Sequence, residues 1–268
     1  MRAVVRFAFA AVVVAATVAS PTARVETTAV VRPLDSTIES IQPIGDEPVG
    51  VAHPVVVTFN GPVANRASAE RALRITATPA MTGHFEWLES NVVQWVPDQY
   101  WPANSTVKLA VGGKRTQFVT GPKVLGVASL SKHTFTVTID GDPAGPPVRL
   151  PAPHHLPHAG EEGVLLASMG REKYPTPVGK YTVLEKNRTV LMDSSSVGVP
   201  ITETEGYLQE VDHAVRITWR GIFVHSAPWA VPSMGLENTS HGCIGLIPAA
   251  AEWYYDTVKV GDPVIVEE

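Results

Sequence analysis

One thiol and two imidazoles stand near one another in the last quarter of the chain. His225 lies in Gly221-Ile222-Phe223-Val224-His225-Ser226, and His241 and Cys243 lie in Ser240-His241-Gly242-Cys243-Ile244-Gly245-Leu246. Cys243 is the single cysteine of 268 residues, so no intramolecular disulfide can form. A thiol is nucleophilic only as the thiolate, and an imidazole within reach can take the proton and stabilise the ion pair that results. His241 is only two residues from Cys243, on a turn where its ring can point away. His225 arrives from a separate segment and is free to face the sulfur, so His225 is the preferred base. Gly242 lets the backbone turn tightly beside Cys243 and brings amide hydrogens near the sulfur, as an oxyanion hole requires. The chemistry open to this set is nucleophilic acyl transfer; the plain alternatives are an inert buried cysteine or an intermolecular disulfide.

The elements that must position these groups read mostly as short strands. The stretch 222–225 alternates and ends at a loop junction, where a side chain can meet a substrate. Around it, 124–130, 133–139, 165–170, 179–184, 189–192, 214–219 and 263–266 read as strands, and one helix is expected from Pro248 through 249–258, with Trp253 and Thr257, Tyr254 and Val258 four apart. Residues 141–163, rich in Pro, Gly and His, read as a long solvated loop. His154, His155 and His158 cluster there, but no Cys or acidic partner stands at useful spacing, so neither metal nor cofactor is expected. Before Gly121-Pro122, the stretches 55–59, 85–88, 92–96 and 107–111 read as strands and 65–73 as a short helix, which suggests a β-sandwich with Phe85, Trp87, Trp95 and Trp101 in its core.

Composition agrees: 44% hydrophobic, 18% charged, 23 Pro and 21 Gly suit many short strands joined by turns. A net charge of -5 without a basic run leaves no electrostatic footprint for nucleic acid. Arg2 and Arg6 precede an apolar stretch at 7–19 and small residues at 20–23, so 1–23 reads as an export signal or an N-terminal anchor, the one expected link to a membrane. The division expected is thus 24–36 as linker, 37–121 as an immunoglobulin-like sandwich and 122–268 as a β-rich second domain. Periplasm or cell wall is the expected location.

His225-Ser226-Ala227-Pro228-Trp229 and Ser240-His241-Gly242-Cys243, together with Pro175-Thr176-Pro177-Val178-Gly179, Met192-Asp193-Ser194 and Tyr207, resemble the signature of L,D-transpeptidases of the YkuD type, particularly the mycobacterial-type enzymes. Gly83-His84-Phe85-Glu86-Trp87 and Trp95-Val96-Pro97 resemble the bacterial immunoglobulin-like domain that precedes that catalytic domain. The resemblance implies a β-rich catalytic sandwich acting on peptidoglycan stem peptides. In it Cys243 attacks the carbonyl between diaminopimelate and the terminal D-alanine of a tetrapeptide donor, and a second diaminopimelate amine resolves the thioester. It implies His225 as base, the Ser226 carbonyl as its orienter, and the Gly242 and Cys243 amides with the Tyr207 hydroxyl as oxyanion donors. His241, Met192, Trp229 and Ser240 would shape the pocket, and carbapenems would acylate the same cysteine. Two residues after the cysteine the family usually carries Arg, or Asn in the mycobacterial type; here stands Gly245. That departure leaves open an L,D-carboxypeptidase or a wall-binding protein of weakened catalysis.

Overall fold

Alternation of apolar and polar side chains organises the N-terminal half. In the computed structural model, which describes residues 37–147 and 155–268, eight strands precede residue 121. They are β1 (Ile38–Gln42), β2 (Gly45–Val49), β3 (Val55–Phe59), β4 (Thr76–Thr78), β5 (Gly83–Trp87), β6 (Val92–Pro97), β7 (Thr106–Val111) and β8 (Lys114–Thr120). They form two four-stranded sheets, β1-β3-β6-β5 and β2-β8-β7-β4. Side chains two apart share a sheet face, so Val55, Val57 and Phe59 of one sheet and Val107, Leu109 and Val111 of the other enter one core. Trp101 stands edge-on to Phe118 at 5.5 Å in that core, beside Trp95. Phe85 and Trp87, expected inside, are only partly buried at its margin. Helix α1 (Arg66–Leu73) starts where the Asn65 side chain accepts the Ser68 amide at 3.0 Å.

The second half is one mixed sheet of ten strands. After β9 (Val124–Ser129), β10 (Thr134–Ile139), the two-residue β11 (Asp142–Pro143) and β12 (Val164–Ser168) come β13 (Gly179–Thr182), β14 (Glu185–Asp193), β15 (Leu208–Arg216), β16 (Phe223–Ser226), β17 (Ile244–Leu246) and β18 (Pro263–Glu267). The order is β13-β18-β9-β10-β12-β17-β16-β15-β14, with β11 attached to β10. Helix α2 (Pro248–Thr257) packs on β15 and β16, where Tyr254 meets Phe135 edge-on at 4.9 Å. The expected helix is therefore present, opened by Pro248. The pocket chemistry lies on strands β16 and β17 at the centre of this sheet.

Several expectations need adjustment. β2 and β8 carry Asp46, Glu47, Lys114 and Arg115 and had no apolar alternation by which to be found. In the 141–163 loop His158 meets Glu161 at 3.0 Å, a contact of two side chains that the sequence reading did not anticipate. The residues 1–36 and His154 lie outside the described residues, and with them the expected signal, anchor and linker. Among the described residues no helix is long and apolar enough to cross a membrane.

The two halves meet along backbone hydrogen bonds. The Gly50 amide donates to Val260 O at 2.8 Å, the Ala52 amide to Gly261 O at 2.7 Å, and the Gly121 amide to Val49 O at 2.9 Å. Asp262 is fully buried at this seam, where its Oδ2 accepts the Lys259 amide at 2.8 Å. Burial pushes its carboxyl up to about 7, against the opposing pull of the Lys259 amide and ammonium and of the Val51 and Val124 amides. Between about pH 4 and pH 7 the unfolded chain has lost this proton and the folded chain still holds it, so the folded state loses stability as pH rises through that window and no further above it. Asp262→Asn keeps an oxygen for the Lys259 amide and removes the titration. Melting temperatures measured from about pH 5 to 8 are expected to fall less with pH in the variant than in the wild type; parallel curves would sink this assignment.

Candidate active site

The nucleophile candidate follows a turn that is tied down on both sides. Ser240 Oγ accepts the Gly242 amide at 3.0 Å and donates to Cys243 O at 2.6 Å. From the other side Thr176 Oγ1 donates to Gly242 O at 2.8 Å and accepts the Gly170 amide at 2.9 Å. Gly242 has φ +119°, a conformation that a side chain would strain, so glycine is required where the chain reverses. Its amide is committed to Ser240 Oγ. The structure therefore corrects the expectation that this N–H points at the sulfur: here Gly242 supplies the turn. The buried Thr176, whose motif was visible in the sequence, has a role as the turn's second tie that the sequence did not reveal.

Strand β17 pairs in parallel with β16, with Val224 opposite Ile244, His225 opposite Gly245 and Ser226 opposite Leu246. Val224, Ile244 and Leu246 enter the core, so alternation turns His225, Gly245 and Cys243 to the opposite face. His225 is buried, and its Nδ1–H donates to Ser226 O at 2.7 Å, which leaves Nε2 as the basic nitrogen. Burial holds its pKa below the ordinary value, with the Ser226 carbonyl opposing. Trp229 stacks on the ring with centroids 5.9 Å apart.

Cys243 is partly buried beside Val190, Met192, Val211 and Phe223. Its thiol donates to Gly221 O at 3.6 Å. Burial pushes the thiol up to about 11, more than the Phe223 amide and the Arg216 guanidinium pull it down. A depressed imidazole and a raised thiol make the resting pair neutral, the proton staying on sulfur.

His241 faces elsewhere, as its position on the turn allowed. It accepts Arg171 Nη2 at 3.0 Å on Nε2 and lies between the rings of Tyr174 and Tyr207, at 4.7 and 5.0 Å. Burial and the Arg171 charge lower its pKa, against the charge and backbone carbonyl of Glu205. Tyr207 is fixed through its backbone, its amide donating to Ser194 Oγ at 2.9 Å and its carbonyl accepting the Ser194 amide at 3.0 Å. Burial and the neighbouring Cys243 and Asp193 raise its hydroxyl pKa.

These side chains surround a cavity of about 630 Å³. Every residue singled out from the sequence lines it except Ser226 and Gly242, which act from behind. Arg171, Glu205 and Ser168 also line it and were missed; as isolated charged or hydroxyl residues far apart in the chain they carried no motif. Gly245 is crowded: a Cβ there would stand 3.0 Å from Ala227 Cβ and 3.4 Å from Ser168 O.

A thiol and a tautomer-locked imidazole sharing one face of a central strand pair, above a cavity, define a cysteine acyltransferase site. Residues 127–266 match the model of the L,D-transpeptidase catalytic domain and residues 8–114 that of a bacterial Ig domain. The chain is 58% identical over 271 residues to the probable L,D-transpeptidase 3 of Mycobacterium tuberculosis, covering 100% of both chains. The crystal structure of L,D-transpeptidase 3 from that organism superposes with a TM-score of 0.83 at 62% identity, over 87% of this chain and 99% of that one. A second structure of that enzyme, in complex with a faropenem-derived adduct, gives 0.81 at 61% identity, over 87% and 98%. The chain belongs to the L,D-transpeptidase family, whose enzymes depend on a cysteine.

A resting thiol at about 11 makes a measurable demand. Alkylation of Cys243 by iodoacetamide, read by intact mass, is expected to quicken about tenfold per pH unit from roughly pH 7 to 10 as thiolate accumulates. A rate already level at pH 7 would mean that His225 holds the proton in the free protein.

Proposed function

We propose that this chain is a peptidoglycan L,D-transpeptidase joining the third-position diaminopimelate residues of adjacent stem peptides. The thiol turns from Gly221 toward His225 and gives its proton to Nε2 as sulfur attacks the carbonyl between the L-centre of diaminopimelate and the terminal D-alanine. The tetrahedral oxyanion is held by the Cys243 amide and the Tyr207 hydroxyl, each donor contributing about 3 kcal/mol. The Gly242 amide, occupied by Ser240, is left out of that set. Collapse breaks the amide bond, and D-alanine leaves with the proton from His225. The side-chain amine of a second diaminopimelate then attacks the thioester, gives a proton to His225, and the thiol is restored. Met192, Trp229 and His241 bound the space in which both peptides lie.

The observation that carries this reading is the Nδ1 hydrogen bond from His225 to Ser226 O, which fixes a basic Nε2 on the face that Cys243 shares. Gly245 need not signal a weakened relative: crowding by Ala227 and Ser168 offers a steric reason for glycine at that position. Similarity to an enzyme solved with a faropenem-derived adduct supports β-lactams as acylating agents of Cys243, carbapenems among them. Residues 37–121 serve in this reading as an immunoglobulin-like spacer and 122–268 as the catalytic domain, working outside the cytoplasm in the wall.

Incubation with a disaccharide tetrapeptide is expected to release D-alanine and give a cross-linked dimer, and a carbapenem is expected to add one adduct mass. Cys243→Ala should abolish all three and His225→Ala should lower kcat/KM by about 10²- to 10⁴-fold. D-Alanine without dimer would make the chain an L,D-carboxypeptidase, and no adduct on the wild type would leave a wall-binding protein.

A further inference from the structure

Arg171 and Glu205 form an ion pair in the lining of the active-site cavity, and nothing in the acyl-transfer steps uses them. Arg171 is the only lysine or arginine among the residues that line the cavity, and Glu205 is the only acidic one. The guanidinium is positioned without help from Glu205. Nη1 donates to Thr239 O at 3.2 Å and Nη2 to His241 Nε2 at 3.0 Å, and the group lies over the Tyr174 ring at 4.9 Å. Two of those partners belong to the segment that leads directly into Cys243, so the cation is built into the reacting end of the pocket.

Glu205 uses its two oxygens differently. Oε2 receives Tyr174 OH at 2.7 Å and the Lys173 ammonium, whereas Oε1 meets Arg171 Nη2 at 3.2 Å. Lys173 and Tyr174 hold the carboxyl at about 2, so it stays ionised throughout the range in which the protein works. If Oε1 lets go of Arg171, Oε2 keeps both of its donors, and the segment 203–207 remains tied to Tyr174. The ion pair can therefore open without dismantling the rest of this cluster. A guanidinium released in this way would be left partly desolvated beside the cavity, and its planar fork matches a carboxylate in two parallel hydrogen bonds.

We propose that Arg171 is the recognition site for a substrate carboxylate and that Glu205 Oε1 occupies it as an internal stand-in until a stem-peptide carboxylate takes its place. This rests on the stem-peptide reading above and adds the chemical group by which the stem is recognised. Stem peptides carry more than one carboxylate, among them the free carboxyl of diaminopimelate and the C-terminus of D-alanine. The exchange involves no proton: one carboxylate replaces another on a cation that stays charged. Stems neutralised by amidation at the recognised position cannot make the exchange.

The test measures binding of tetrapeptide stems to the full chain carrying Cys243→Ala, by calorimetry, with the stem carboxylates free or amidated one at a time. Amidation at one position is expected to weaken binding about tenfold, the scale of a lost charge-assisted hydrogen bond, and the position found identifies which carboxylate is read. Adding Arg171→Gln should weaken the free stem about tenfold and leave the stem amidated at that position unchanged, while Arg171→Lys restores part of the loss. Glu205→Gln removes the competitor and should tighten the free stem several-fold; a general loosening of the pocket would weaken it instead. The proposal is overturned if Arg171→Gln weakens free and amidated stems by the same factor, or if no amidation matters. Because binding is read without turnover, a wild type that binds with this carboxylate dependence but releases no D-alanine would count against the transfer reaction and leave the Arg171 site standing.

Discussion

The parallel pairing of β16 with β17 is the constraint on which the site depends. Parallel register places His225 directly opposite Gly245, and strand alternation then puts Cys243 on the same face, one pleat earlier. A slip of one residue would send His225 into the core and bring Val224 to the cavity. Register is held by the apolar set Val224, Ile244 and Leu246 on the buried face, by α2 packing behind it, and by the Ser240 and Thr176 ties that fix where β17 begins. Gly245 fits the same frame: it stands opposite His225 in the register, and a Cβ there would crowd Ala227 and Ser168.

Burial acts on both partners of the acid–base pair in the direction that keeps them neutral. A buried imidazole is harder to charge and a buried thiol harder to deprotonate, so each shift opposes the ion pair that catalysis needs. The barrier is lowered by groups that see charge only when it forms. The Ser226 carbonyl stabilises an imidazolium more than a neutral ring, and in the proposed reaction a peptide bound against Trp229 and Met192 would displace water and strengthen attraction between thiolate and imidazolium at short range. Under that proposal, binding of the donor and activation of the nucleophile would be one event.

The sequence showed the chemical centre more clearly than the architecture around it. Cys243 and His225 were legible as candidates because a lone thiol and an imidazole fall within one motif, and the strands of the second half were legible where Val, Ile and Phe alternate. β2 and β8 were not, since strands that present charged side chains to water are recognised only by the neighbours they pair with. The Arg171–Glu205 pair spans 34 positions and both residues read as ordinary surface charges; only the fold brings them to one cavity. The Gly242 amide was misjudged for a related reason. Spacing can say that an amide is near a sulfur, but whether it is free depends on Ser240 Oγ, whose rotamer the sequence does not specify.

A single thiol in an enzyme of a cell-wall family raises the question of how it survives oxidation. Oxidants react with the thiolate, so the reactivity of a cysteine toward them follows its ionisation as well as its access. Here the thiol is partly covered by Val190, Met192 and Phe223, donates to Gly221 O, and is held protonated by its surroundings. The features that make Cys243 a reluctant nucleophile in the free protein are the same ones that protect it; in the proposed reaction a donor peptide would remove that protection only when an acyl group is present to be attacked. With no second cysteine in the chain, a sulfenic acid formed at Cys243 has no internal thiol to resolve it, which places the burden of defence on cover and on suppression of the resting thiolate.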